Sequence, residues 1–386
     1  MNNIKGLFYL DGAPVAIEIT GDRIGEIRRV ESRESGEQVY IAPGFIDNQV
    51  NGYVSVGFTD PDLTVEKIKE ATSNLWKVGV TTYLPTVITA DRDRLLQNFA
   101  VLAEAMEQPA IRQSVPGFHL EGPYISPEDG YRGAHTRAHV RPPDWKEFQE
   151  LNTAAGGQII QVSLAPETTG ALDFIRQCRQ QGITVALAHH NAGTEIITRA
   201  TDAGAAISTH LGNGCANTIH RHRNPLWGQL AEDRLMASLI VDGFHLTPEE
   251  VRTFYRVKGP DRIVLVSDMT QLAGMPPGEY SWDQKTVVLK EEGVILYPEQ
   301  AVLAGAASPL VDCVGNMMRY TGCTLNEAVK MASANPARLN HLTDRGVLQT
   351  GHRADLILFT LEDGHLRIRE TYIAGQQVYA ASETAV

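Results

Sequence analysis

The chain is short of cysteine. It has four thiols in 386 residues, Cys178, Cys215, Cys313 and Cys323, and no two of them form a Cys-x-x-Cys pair. That excludes a disulfide-stapled small scaffold, and the expectation is a reduced, cytoplasmic protein. Long hydrophobic runs are also missing. No window approaches the roughly 18 apolar residues of a membrane span. The first residues, MNNIKGLFYLDGAPVAIEIT, lack the basic start and long apolar segment of a secretory leader. Basic residues are outnumbered, 34 Lys and Arg against 46 Asp and Glu, for a formal net charge of -12. Such a balance argues against a nucleic-acid or anionic-membrane partner.

What is present is a large apolar content, 43% of the residues, enough for an α/β barrel with a small accessory domain. Both chain ends read as strands and turns: KGLFYLDG and VAIEITGDRIGEIRRV at the start, ADLILFTLEDGHLRIRETYIAGQQVY at the close. The middle alternates apolar strands with helical patterns such as TVEKIKEATSNLWKVGV, ALDFIRQCRQQG and TEIITRATDAG. That alternation predicts a parallel sheet with crossover helices. Eight strands can be counted: GFIDNQVN, TTYLPTV, VPGFHLEG, IIQVSLAP, TVALAHH, AAISTHL, MASLIVDG and RIVLVSDM. The expected fold is a (β/α)8 TIM-type barrel over residues 44–345. Residues 1–43 and 346–386 would combine into a small β-sandwich domain.

Polar residues gather at the C-terminal tips of these strands, the end at which barrels of this kind place their active sites. They are Gln49 and Asn51, Glu121, His189 and His190, His210, Asp242 and Asp268. Burying an unpaired carboxylate costs several kcal/mol, so Glu121, followed at once by Gly-Pro, must meet a cation, join a hydrogen-bond network or stay wet. Glu121, His189 and His210 end three different strands, and two imidazoles with one carboxylate suit zinc or a similar divalent ion. Asp268 ends the eighth strand, where a carboxylate could serve as general base and then acid. Each residue has an ordinary alternative. A lone strand His is commonly a hydrogen-bonded core residue, Asp268 could cap the next segment, and Gln49 and Asn51 could satisfy loop backbone. The run His220-Arg221-His222-Arg223 is a basic knot in an acidic chain, either an anion grip or a solvated turn. Trp227 beside it could stack on a sugar or pack at a subunit contact.

The stretches APGFIDNQVNG, GFHLEGPYI, GAHT, LAHHNAG, STHLGN, RHRNPLWG, IVDGFHL and LVSDMTQLAG resemble, in order and through the whole barrel, the N-acetylglucosamine-6-phosphate deacetylases of the amidohydrolase superfamily. The resemblance implies metal-dependent hydrolysis of the acetamide of an N-acetyl amino sugar. Glu121, His189 and His210 match the metal ligands, Asp268 the catalytic acid/base, and His135 the histidine at the substrate carbonyl. Asn213 and Gly214 match the sugar-contacting loop. Arg223 and His245 match the phosphate-binding pair, one of which can come from a neighbouring subunit, implying a homodimer.

The chain departs from the wider superfamily in the first strand, with Gln49-Val50-Asn51 in place of His-x-His. That implies one metal ion, zinc or else iron, manganese or cobalt, with Gln49 and Asn51 supporting its shell. It departs again at Leu226 and Trp227, where the family has a small residue. No lysine ends a strand, which argues against cyclic-amide hydrolases built on a bridging carboxylated lysine. A deaminase, a hydrolase of an unphosphorylated sugar and a non-catalytic barrel are the rival readings.

Overall fold

A computed structural model describes residues 2–31, 38–282, 285–298 and 302–382. Eight parallel strands succeed one another around a barrel: Phe45–Val50, Val80–Ile88, Phe118–Glu121, Ile159–Leu164, Thr184–Leu187, Ala205–Ser208, Met236–Leu239 and Ile263–Leu265. Their near-continuous burial follows from helices covering the outside of the sheet. The helix Val65–Lys77 shows how the cover is built. Ile68, Ala71, Thr72 and Leu75 recur at helical spacing and are all buried, and Thr64 caps the start by accepting from the Lys67 N–H.

The barrel closes between its first and eighth strands through the segment just beyond the eighth. The Ser267 N–H donates to the Asp47 carboxylate at 3.2 Å, the Asp268 N–H to Gln49 O at 3.1 Å, and Val50 bridges Met269. Asp47 is fully buried, and burial pushes its carboxyl up to about 7.

The chain ends meet as expected, in one seven-stranded sheet. Its order is Gln376–Ala380, His365–Ile373, Leu356–Glu362, Val39–Pro43, Asn2–Phe8, Pro14–Thr20 and Arg23–Arg29. The two ends join where Leu356–Thr360 runs antiparallel to Val39–Pro43.

Two features differ from the sequence reading. Several strands stop before their polar tips. Thr184–Leu187 ends two residues short of His189, Ala205–Ser208 two short of His210, and Ile263–Leu265 three short of Asp268. The second feature is an antiparallel sheet that the sequence reading does not single out, formed by Gly278–Trp282, Lys285–Leu289, Ile295–Tyr297 and Val302–Leu303. It has its own apolar cluster of Val287, Leu289, Ile295 and Tyr297 with Leu272 and Ala304. It follows the eighth barrel strand, and its return reaches the barrel mouth.

Helix Leu310–Thr321 packs between the barrel and the sheet of the chain ends, and Gly315 lies tight against the turn at Gly364. A Cβ there would lie 2.2 Å from Gly364 O, a backbone atom that cannot swing aside. Gly315→Ala should therefore destabilise the fold by about 1–3 kcal/mol, the usual range for overpacking. Denaturant unfolding checks this, and an unchanged midpoint would mean the two layers separate freely.

Candidate active site

A cavity of about 670 Å³ opens at the C-terminal ends of the barrel strands. Glu121 is the last residue of its strand and reaches the cavity directly. His189, His210 and Asp268 lie beyond their strands, with φ of 47°, 31° and 53°. A non-glycine residue in this left-handed region costs on the order of 1–3 kcal/mol and persists only where its surroundings dictate it. Those surroundings are visible. The Ser126 N–H donates to His189 O at 2.9 Å, the His210 N–H to Ser238 Oγ at 2.7 Å, and the Asp268 N–H is held by Gln49.

The three expected ligands come together, with one donor atom from each lying within 4.8 Å of the others. Glu121 Oε1 is 3.2 Å from His210 Nε2 and 3.7 Å from His189 Nε2. His189 Nδ1 lies 3.0 Å from the Tyr131 carbonyl oxygen. A carbonyl only accepts, so Nδ1 carries a proton toward it, and Nε2 faces Glu121.

Burial alone would raise the Glu121 carboxyl, but the hydrogen bonds and charges of His189 and His210 hold it well below the usual carboxylate range. Burial would lower His210, yet Glu121 raises it. Glycines cradle the rings: a Cβ on Gly133 would lie 2.9 Å from His189 Cε1, and one on Gly214 3.0 Å from His210 Cε1. A buried carboxylate with two imidazoles, packed this closely, fits a divalent ion of the zinc type.

Gln49 and Asn51 also reach this centre. Gln49 Nε2 donates to Glu121 Oε1 and to Asp268 Oδ1, each at 2.9 Å. Asn51 Nδ2 donates to the same Asp268 oxygen at 2.7 Å. One carboxamide nitrogen with two protons can tie two carboxylates together. Burial, with the Glu121 charge second, raises Asp268 to about 6. His135 Nε2 lies 3.1 Å from His189 Nε2 and His135 Nδ1 2.8 Å from Thr89 Oγ1. Burial pushes the His135 ring down to about 3, so it is neutral.

Asn213, Gly214 and His245 line the same cavity. His245 is oriented by Asp242, whose Oδ2 accepts from Nδ1–H at 2.7 Å. Asp242 Oδ1 accepts the backbone N–H groups of Phe244 and His245, each at 2.9 Å. Asp242 is thus the strand-tip carboxylate that fixes a neighbour. His190 is buried beside the site, its Nδ1 accepting the Ala192 N–H at 3.2 Å.

Arg223 is not brought into this chain's cavity. It is exposed on the surface loop, with its backbone N–H donating to His220 Nδ1 at 3.0 Å. Trp227 is 55% exposed, with its indole N–H donating to Arg221 O at 2.8 Å.

Sequence reading missed Thr89, Arg94, His139 and the return Leu303-Ala304-Gly305, all of which line the cavity. Thr89 had a signal, being polar and one residue past the second barrel strand. Leu303 to Gly305 had none, because they lie where the chain returns from the inserted sheet.

Residues 40–378 match the Amidohydrolase family. The N-acetylglucosamine-6-phosphate deacetylase of Bos taurus is 33% identical over 378 residues, covering 93% of this chain and 88% of the relative. The N-acetylgalactosamine-6-phosphate deacetylase of Escherichia coli O157:H7 is 32% identical over 343 residues, 87% of each. A Mycobacterium smegmatis N-acetyl-D-glucosamine-6-phosphate deacetylase variant, solved in complex with N-acetyl-D-glucosamine-6-phosphate, superposes with a TM-score of 0.85 at 27% identity. That likeness covers 95% of this chain and 94% of the other. With its barrel, its two-histidine, one-carboxylate centre and these relatives, the chain belongs to the amidohydrolase family, within the N-acetylglucosamine-6-phosphate deacetylases.

Proposed function

We propose that this hydrolase cleaves the acetamide of N-acetylglucosamine 6-phosphate, giving acetate and the amino-sugar phosphate. The observation that carries the reading is the pairing of two groups. A buried Glu121–His189–His210 donor set stands across one Gln49 side chain from a carboxylate, Asp268, raised to about 6. Glu121, His189 and His210 would hold one divalent ion, zinc or else iron, manganese or cobalt. Such an ion, when bound, polarises a carbonyl and acidifies water.

The chain's own residues do the rest. Asp268 takes the proton of the attacking water and returns it to the departing nitrogen. A carboxylate near 6 can do both, since its pKa lies close to working pH. Gln49 and Asn51 keep it aimed by donating to Oδ1. His135 donates to the acyl oxygen as negative charge builds there. The C–N bond breaks, the acyl carbon gains the water oxygen, and the amine leaves with the returned proton.

Asn213 and Gly214 contact the sugar, and His245, braced by Asp242, contacts the phosphate. Arg223 stands outside its own cavity, so its phosphate contact would come from Arg223 of the partner subunit in a homodimer. Trp227 lies on the same exposed loop, where packing between copies would cover it. A cytoplasmic setting agrees with four free thiols among the described residues.

Three outcomes are expected. Elemental analysis of protein purified without added metal should give about one divalent ion per chain, and His210→Ala should lose most of it; two equivalents at full activity would refute a single site. Asp268→Asn should fold and keep its metal while kcat falls roughly 10²-fold or more, the scale of general acid–base catalysis; near-normal turnover would leave Asp268 a structural role only.

The phosphorylated sugar should exceed the unphosphorylated one in kcat/KM by at least about tenfold. Charge-assisted bonds are worth about 1.5–3 kcal/mol each, and 1.4 kcal/mol is a decade. Arg223→Ala should shrink that preference without changing metal content. Running the galactosamine epimer beside the glucosamine substrate settles which epimer is preferred, and equal rates with and without phosphate would overturn the phosphate grip.

A further inference from the structure

Asn48 and Gln49 are neighbours in the first barrel strand, and an extended strand would send them to opposite faces. Both nevertheless point into the barrel. Asn48 Nδ2 donates to Gln161 Oε1 of the fourth strand at 2.8 Å. Gln49 Nε2 donates to Glu121 Oε1, at the end of the third strand, at 2.9 Å. The pairing with the second strand explains this. Asp47 lies opposite Tyr83 and Val50 opposite Pro85, so three residues of advance on one strand meet two on the other. The extra residue makes a β-bulge, a device that re-aims a side chain beside an active site. Without it, one of the two carboxamides would face the outer helices.

A bulge disrupts the ladder locally, and side chains meet two of the backbone N–H groups at this one. Thr86 Oγ1 accepts from the Val50 N–H at 3.1 Å, and Asp47 Oδ1 accepts from the Gln49 N–H at 3.3 Å. The same Asp47 oxygen accepts the Ser267 N–H at 3.2 Å, one residue before Asp268. A single carboxylate oxygen therefore holds the Gln49 backbone and the segment carrying Asp268 together. Across that junction Gln49 Nε2 reaches Asp268 Oδ1 at 2.9 Å. Asp47 and Gln49 are both buried, so bulk water is not at hand to replace these bonds.

We infer that Asp47 is a positioning residue: it clamps the bulge that turns Gln49 inward, and through Gln49 it keeps Asp268 aimed. Its own hydrogen bonds go to backbone N–H groups and not to the donor set. With the clamp gone, the bulge relaxes and the carboxamide swings away from the two carboxylates. A displacement of about 1 Å beside a reacting group can cost on the order of 10²-fold in rate. The catalytic consequence rests on the deacetylase reading; the placement of Gln49 does not.

The test compares the full wild-type chain with Asp47→Leu, which keeps the bulk without the acceptor, and Asp47→Asn, which keeps an acceptor oxygen. Gln49→Met, which removes the donor, and the double variant Asp47→Leu/Gln49→Met complete the set. Crystal structures of the metal-free proteins should show Gln49 bonded to Asp268 in the wild type and in Asp47→Asn, and turned away in Asp47→Leu. In assays with saturating zinc, Asp47→Leu and Gln49→Met should each lower kcat about tenfold or more, with KM within about threefold. Asp47→Asn should keep most of the rate. The double variant separates aim from mere stability. If Asp47 acts through Gln49, adding Asp47→Leu to Gln49→Met should lower kcat less than about twofold further, since residues of one network are not additive.

Losses that multiply in the double variant would overturn the proposal and leave Asp47 a role in barrel closure alone. So would an Asp47→Leu chain that fails to fold, or one whose Gln49 has not moved. A Gln49→Met enzyme with wild-type kcat, or an Asp47→Asn enzyme as impaired as Asp47→Leu, would sink it equally. A wild type that cleaves no N-acetylated sugar phosphate would count against the substrate reading, and the crystal structures would still decide the assignment to Asp47.

Discussion

The structure turns on a buried carboxylate. Glu121 is 3% exposed and has imidazole nitrogens at 3.2 Å and 3.7 Å. Stripped of partners, such a group would be protonated or would cost several kcal/mol to keep ionised. Two histidines and the Gln49 amide keep it charged instead. Much of the barrel mouth follows from that requirement. His189 and His210 must reach one point from separate strands, and Gln49 must reach it from the first strand. Gly133 and Gly214 must stay small beside the rings.

Meeting at that point carries a cost in the backbone. The fifth, sixth and eighth strands end early, and the functional residue beyond each takes a left-handed φ. An extended strand would send alternate side chains to opposite faces. Leaving the strand first lets His189 turn inward while His190 remains buried beside the site. The strain is local and is held by hydrogen bonds from the first and seventh strands and from Ser126 in the loop after the third, so the rigid barrel supports geometry that an isolated loop would not keep. The same logic reaches Asp242, whose carboxylate spends its acceptors on the Phe244 and His245 loop and so delivers His245 to the cavity.

Carboxamides at positions 49 and 51 also make physical sense here. A histidine at position 49 would offer the centre a lone pair for a second ion. A carboxamide NH₂ offers two protons, and two carboxylates are waiting for them. Glu121 and Asp268 repel one another, and the Gln49 bridge lets both sit in one small volume. The first-strand departure from His-x-His therefore places hydrogen-bond donors, in place of imidazole lone pairs, against Asp268 and the donor set.

The order of the eight strands, the pairing of the chain ends and the trio Glu121, His189 and His210 were legible in the sequence. Apolar runs broken by helical periodicity set the architecture, and ligand-type side chains after such runs can only gather at one mouth. Asp268 was legible as a polar strand tip, His135 and His245 were named from the family's motifs, and the chain brings all three to the same cavity. Tertiary structure decided what depends on distance between remote segments. It tied Gln49 to Asp268 across 219 positions and brought Leu303 to the mouth through an inserted sheet. It left Arg223 outside its own cavity. It also set Thr89 against His135, 46 positions away. Side-chain periodicity records which face a residue occupies within its own element; which partner it meets there depends on how separate elements pack, and no local pattern encodes that.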